Sequence, residues 1–239
     1  MIKLLLLLLF GGLKGAKLGT TGLSMLVSLV LYASIWGWRY AAGFLACLFI
    51  HEMGHVIAAQ QRGLAVSAPA FIPFMGAFIT MREAPPDVET EAHVAIGGPL
   101  LGSVAAFGFY FAGDWGGDRL LLAIAYSAFV LNLFNLLPIS PLDGGRIVAV
   151  LGPRIWLIGV PLLVALFIYR PSPMLLIVAL LAAPQVLKAL RYDRNAPGNL
   201  AYYAIPAAKK LEYGVTYLGL VVTLAIMAYE VHERLGVGR

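Results

Sequence analysis

Seven apolar stretches recur along the 239-residue chain, at roughly residues 20–37, 40–61, 92–112, 119–137, 147–169, 172–190 and 213–231, and only short polar segments separate them. An α-helix needs about 20 such residues to cross a hydrocarbon layer about 30 Å thick. Inside that layer every backbone N–H and C=O must find a partner within the protein, so a chain built from these runs is restricted to a bundle of helices. Composition agrees: 61% of residues are hydrophobic and 12% are charged, about half the charged share of a soluble domain. The expected fold is an all-α polytopic membrane protein with six to seven transmembrane helices, forming one domain over residues 1–239. The stretches 147–169 and 172–190 lie so close together that they read either as a tight helical pair or as one irregular crossing.

The formal net charge of +5 does not point to nucleic acid, because the basic residues sit in the short segments between apolar runs, where Lys and Arg set membrane topology. With the N-terminus in the cytoplasm and one crossing per run, twelve of the seventeen basic residues face inside; Arg39, Arg119, Arg170, Arg234 and Arg239 face outside. This orientation places the ends of stretches 40–61 and 119–137 on the cytoplasmic side. It describes a multi-pass protein of a plasma or inner membrane, in contact with lipid. Residues 2–17, with Lys3 ahead of a leucine run, read as an uncleaved helix on or near the membrane surface. The single cysteine, Cys47, excludes an internal disulfide and reads as small core filler.

Two connecting segments depart from the pattern. Residues 65–82 are apolar, but Pro69, Pro73 and Gly76 break any spanning helix. Phe78, Ile79 and Thr80 suit a strand, so a small re-entrant β-hairpin or sheet is expected, shielded by protein. Residues 191–210 are polar and read as a cytoplasmic loop. Glu83, Asp87, Glu89 and Glu91 form an acidic loop, solvated unless it serves as a gate or partner surface. His93 reads as a helix-end histidine, and Trp36 and Trp38 as interfacial anchors.

The chemistry concentrates in His51-Glu52-Met53-Gly54-His55. On a helix, positions i and i+4 share a face, so both imidazoles can reach one ion. Zinc accepts such ligands tetrahedrally and keeps a place for water. Glu52, beside the first histidine, can take a proton from that water. Three ionisable groups closing the apolar run Ala41–Ile50 are costly at membrane depth unless they function. A third ligand is required, and Asp143 is the leading candidate, within Asn135-Leu136-Leu137-Pro138-Ile139-Ser140-Pro141-Leu142-Asp143-Gly144-Gly145. On spacing alone, a solvent-exposed turn aspartate is an equal reading.

The pair of motifs, HEMGH at the end of one apolar helix and NLLPISPLDGG at the end of a later one, resembles the site-2 protease family of intramembrane zinc metalloproteases. The resemblance covers residues 20–150. It implies His51, His55 and Asp143 as ligands of one Zn2+ per chain, and Glu52 as the catalytic base. It implies that Asn135 holds substrate or steadies the oxyanion, with Asn132 a weaker alternative. Gly97-Gly98-Pro99-Leu100 resembles the family's Gly-Pro element; Gly102 and Ser103 carry no role beyond helix packing. The segment at Phe74, Met75 and Gly76 resembles the family's membrane-embedded sheet and would hold substrate as an added strand. A minimal member without PDZ or CBS domain is implied, with residues 151–239 as accessory helices. The implied partner is a transmembrane protein or peptide substrate, and a second copy of the chain or a regulatory membrane partner is compatible with it. A metal transporter using the same His/Asp site and a non-proteolytic scaffold are the rival readings.

Overall fold

Two glycines with positive φ, Gly37 (φ 83°) and Gly117 (φ 63°), separate the first long helices of the chain. The computed structural model describes residues 17–74, 76–193 and 195–236. The expected surface helix 2–17 therefore lies almost wholly outside the described residues. Helix α1 (Lys17–Trp36) is followed after Gly37 by α2 (Trp38–Gln61). A two-stranded sheet follows, β1 (Ala70–Ile72) and β2 (Gly76–Phe78). Next come α3 (Val88–Gly116), α4 (Arg119–Asn135) and the short α5 (Asp143–Val148). Two 3-10 turns over 149–155 lead to α6 (Trp156–Tyr169), α7 (Pro173–Leu190), the short α8 (Pro197–Tyr202) and α9 (Ala207–Leu235).

Local chemistry sets these limits. Asp87 caps α3 by accepting from the Thr90 amide at 2.7 Å, and Asp118 caps α4 by accepting from the Leu120 amide at 2.8 Å. Such caps satisfy amides that the first helical turn leaves without partners. Gly117 takes the left-handed conformation that closes α3, leaving only Gly117 and Asp118 between two long helices. Ser172 caps α7 and Pro173 opens it, as suits a residue with a fixed φ and no amide hydrogen.

Among the described residues, four helices are long and apolar enough to cross a membrane: α2, α3, α7 and α9. The apolar parts of α1, α4 and α6 are shorter. Stretch 147–169 proves divided. Ile147 and Val148 end α5, and the long helix that remains is Trp156–Tyr169, 14 residues, about 21 Å at 1.5 Å per residue. Stretches 147–169 and 172–190 thus yield a packed helical pair, α6 and α7.

Ion pairs gather at two ends of the bundle. At one end Arg62 meets Glu89 and Arg146 meets Glu91, each at 3.3 Å. At the other, Arg39 meets Asp118 at 3.5 Å, Arg234 meets Asp114, and Arg119 donates to the Leu235 carbonyl. The acidic segment ahead of α3 is therefore only partly a solvated loop. Asp87 is a helix cap, and Glu89 and Glu91 lie in the first turn of α3 as interhelical partners; Glu91 also accepts from the Tyr202 hydroxyl.

The main core joins α3, α4, α5 and α9 around Phe129, Ile124, Leu136, Ile147 and Leu224, and it includes Cys47. The hairpin pairs antiparallel, with Ala70 opposite Phe78, Phe71 opposite Ala77 and Ile72 opposite Gly76. Its second strand begins two residues earlier than the sequence suggests, and Ile79 and Thr80 follow the strand. The hairpin is pinned along α1: the Phe71 amide donates to Ser24 Oγ at 3.2 Å and the Phe74 amide to the Tyr32 hydroxyl at 3.0 Å.

Candidate metal centre

Helix α2 carries His51, Glu52 and His55, all buried. Asp143 begins α5, beyond the turn that Pro138 and Pro141 impose on the end of α4. The α5 backbone closes tightly on that turn. A Cβ at Gly144 would come within 3.0 Å of the Leu136 and Leu137 carbonyls. Its φ is not positive, so glycine serves there for close approach rather than for a left-handed turn.

This folding brings three donor atoms together. His51 Nε2 lies 3.1 Å from Asp143 Oδ2, His55 Nε2 lies 3.3 Å from the same oxygen, and the two Nε2 atoms are 3.2 Å apart. Tetrahedral zinc with bonds of about 2.0–2.1 Å holds neighbouring ligand atoms about 3.3 Å apart. The triangle therefore has the dimensions of one face of a zinc tetrahedron.

The opposite ring nitrogens decide what that triangle contains. His51 Nδ1 is 2.9 Å from Asn132 Oδ1, and His55 Nδ1 is 2.8 Å from the Val94 carbonyl. The Asn132 amide nitrogen is committed to the Ala128 carbonyl at 2.8 Å, which leaves its oxygen facing His51. Both histidines thus donate from Nδ1 to an oxygen, and each neutral ring turns a lone pair from Nε2 toward Asp143. Two nitrogen lone pairs and a carboxylate oxygen so close repel unless a cation or a proton lies among them. Backbone or amide oxygens behind the rings are the usual outer support of a metal-ligating histidine. The three residues can hold one metal ion.

Helix α3 makes room for this arrangement through its glycines. A Cβ at Gly98 would come within 3.0 Å of the Nε2 atoms of both His51 and His55, and one at Gly102 would meet the Asn132 amide. The sequence shows Gly98 only as part of a Gly-Pro element, Gly102 only as a packing residue and Asn132 only as a weaker alternative to Asn135; that they make room for and hold the two imidazoles comes from the fold. Asn132 sits one helical turn before Asn135, so a buried amide on that face was the available signal.

A cavity of about 640 Å³ opens onto the centre and is lined by His51, Glu52, His55, Asn135, Asp143 and Arg146. Phe74, Gly76 and the rest of β2 border the same space. Met75 lies outside the described residues. His93 is elsewhere, with Nε2 3.0 Å from Gln61 Oε1.

Residues 39–116 match Peptidase family M50. The chain is 30% identical over 103 residues to Zinc metalloprotease MJ0392 of Methanocaldococcus jannaschii, a match covering 41% of the chain and 30% of that protein. It is 32% identical over 130 residues to Putative zinc metalloprotease Rip3 of Mycobacterium tuberculosis, covering 49% and 33% respectively. Against Probable zinc metalloprotease EGY1, chloroplastic, of Oryza sativa subsp. japonica it is 33% identical over 78 residues, covering 30% and 14%. The matched stretch thus spans about a third or less of each relative's length. The stretch that matches Peptidase family M50, residues 39–116, is the one that carries His51, Glu52 and His55.

Proposed function

We propose that the protein is an intramembrane zinc metalloprotease that hydrolyses peptide bonds within transmembrane segments of membrane-anchored substrates, as in regulated intramembrane proteolysis. The observation that carries this reading is the convergence of His51 Nε2, His55 Nε2 and Asp143 Oδ2 within 3.3 Å, with Glu52 and an edge strand on the same cavity. His51, His55 and Asp143 hold one Zn2+ per chain, and the relatives' names as zinc metalloproteases support that choice of metal. When bound there, zinc supplies a Lewis acid that lowers the pKa of a coordinated water towards about 7.

The remaining steps belong to the chain's own side chains. Glu52 accepts the proton of the attacking water and later returns it to the leaving amine. Asn135, at the mouth of the same cavity, donates to the substrate carbonyl oxygen as charge develops on it. Asn132 and the Val94 carbonyl hold the two imidazoles in the tautomer that ligation requires.

A helical substrate hides its carbonyls and must be extended first. The outer edge of β2 suits that task. The Phe71 amide points to Ser24, away from β2, so Phe71 and Ala77 form a pair that is not hydrogen-bonded to each other. Ala77 then turns its N–H and C=O to the free edge. An added substrate strand would pair there, with Phe74 and Gly76 beside it. The end of the bundle bearing Arg62 and Arg146 faces the cytoplasm on this reading, following the basic-residue bias.

The experiment compares membrane-peptide fragments by mass spectrometry in cells carrying the wild type and Glu52→Gln. Fragments from within transmembrane segments are expected only with the wild type, and they name the substrate and the cut. Identical fragment sets in both strains would remove the protease reading and leave a metal transit site or a scaffold.

A further inference from the structure

A second cavity, of about 550 Å³, opens between the 3-10 turns that follow α5, the short α8 and the start of α9. Arg154 and Lys210 line it, together with Tyr192 and Tyr203, and no described carboxylate does. The nearby cations behave differently. Arg62, Arg146 and Lys209 each have a carboxylate partner, Glu89, Glu91 and Glu212. Arg154 and Lys210 have no ion pair among the described residues. Two positive charges therefore share one concave space with no anionic group among the described residues to match them.

The place of the cavity in the fold narrows its occupant. Arg154 lies just ahead of α6, Tyr192 just beyond α7, and Lys210 in the first turn of α9. Three apolar helices thus begin or end around it, two of them long enough to cross a membrane. That is the level at which hydrocarbon gives way to water. Tyrosines and basic residues favour this level, and the Tyr192 and Tyr203 rings meet edge to face at 5.5 Å. The wall also carries Leu151 and Leu200, 47% and 54% exposed. Cations beside exposed leucines at one rim match a molecule with a charged head and an apolar body. A free ion would use only the cations.

We propose that this cavity binds an anionic phospholipid, with Arg154 and Lys210 flanking the headgroup phosphate and Leu151 and Leu200 meeting the first carbons of the acyl chains. Basic pockets between membrane helices are suited to phosphate headgroups. The site lies apart from the metal centre and does not depend on the protease reading.

The test uses the full chain in vesicles of phosphatidylglycerol or of phosphatidylcholine. The readout is the rate of amine acylation at Lys210 against that at Lys209, measured by mass spectrometry. Phosphatidylglycerol is expected to slow labelling of Lys210 about tenfold while Lys209, held by Glu212, changes far less. Millimolar inorganic phosphate added to phosphatidylcholine vesicles is expected to protect neither. Arg154→Gln should relieve most of the protection of Lys210, and Arg170→Gln, at the other end of the bundle, should not. Equal labelling of wild-type Lys210 in both vesicles overturns the proposal without any variant. Protection by inorganic phosphate alone, matching that by lipid, would make this a free-anion site and overturn the lipid assignment.

Discussion

At the scale of single residues, HEMGH was readable because helical periodicity alone puts His51 and His55 on one face. Asp143 was readable only as a candidate, since spacing says nothing about where a loop returns. The fold brings its Oδ2 to 3.1 Å from His51 Nε2. Asn132 was undervalued for a related reason. Its role depends on which face α4 turns to α2, a tertiary property that a run of apolar neighbours conceals. Two asparagines one turn apart should now separate by function. Asn132→Ala is expected to weaken zinc affinity about 10- to 100-fold, as loss of an outer-shell partner does, read by zinc retention against a graded chelator. Asn135→Ala is expected to keep its zinc and lose about 100-fold or more in turnover, the usual effect of removing an oxyanion donor. Equal zinc loss in both variants would contradict that division.

At the scale of elements, the break in residues 65–82 was legible from Pro69, Pro73 and Gly76, but the register was not. Strand limits depend on pairing, and Phe74 adopts a positive φ of 64° that no glycine announces. Its amide is held by the Tyr32 hydroxyl, a contact from another helix. The hairpin yields a sharp expectation. Ala77→Pro removes an outward-facing N–H without touching the β1 ladder, so the fold and zinc content should persist. Cleavage of a transmembrane substrate should fall at least about tenfold, while a short unstructured peptide is cut nearly as before, because only the former needs strand addition. A uniform loss on both substrates would argue against β2 as the docking edge. Helix α3 shows a different kind of limit. Gly98 was visible in the motif, yet its purpose, room for two imidazoles, is not a property of its own segment. Gly98→Ala should push α3 from α2 and lower zinc content in the purified protein.

At the scale of the whole molecule, hydropathy located the helices well and their lengths less well. Stretch 147–169 looked like one spanning helix because Val148, Ala149, Val150 and Leu151 are apolar; Gly152 (φ 116°) and Pro153 break it into turns. The two ion-paired ends of the bundle hold Arg62 and Arg146 at one end and Arg39, Arg119 and Arg234 at the other. The orientation can be tested with the chain's own cysteine economy. Cys47 is buried, so cysteines introduced singly report without background. Ala84→Cys should react with a membrane-impermeant thiol reagent from the cytoplasmic side only, and Gly116→Cys, exposed with open space around it, from the opposite side only. Reversed labelling would invert the topology and move the metal centre's end of the bundle to the outer face.

Hydrolysis of a transmembrane peptide by the purified protein in lipid vesicles, with zinc counted in the same samples, tests most directly whether Glu52 works beside a metal held by His51, His55 and Asp143. The expected result is one zinc per chain in both wild type and Glu52→Gln, with cleavage by the wild type alone and a loss of at least about 100-fold in the variant. Undiminished cleavage by Glu52→Gln, or cleavage by a wild-type protein that carries no zinc, would contradict it.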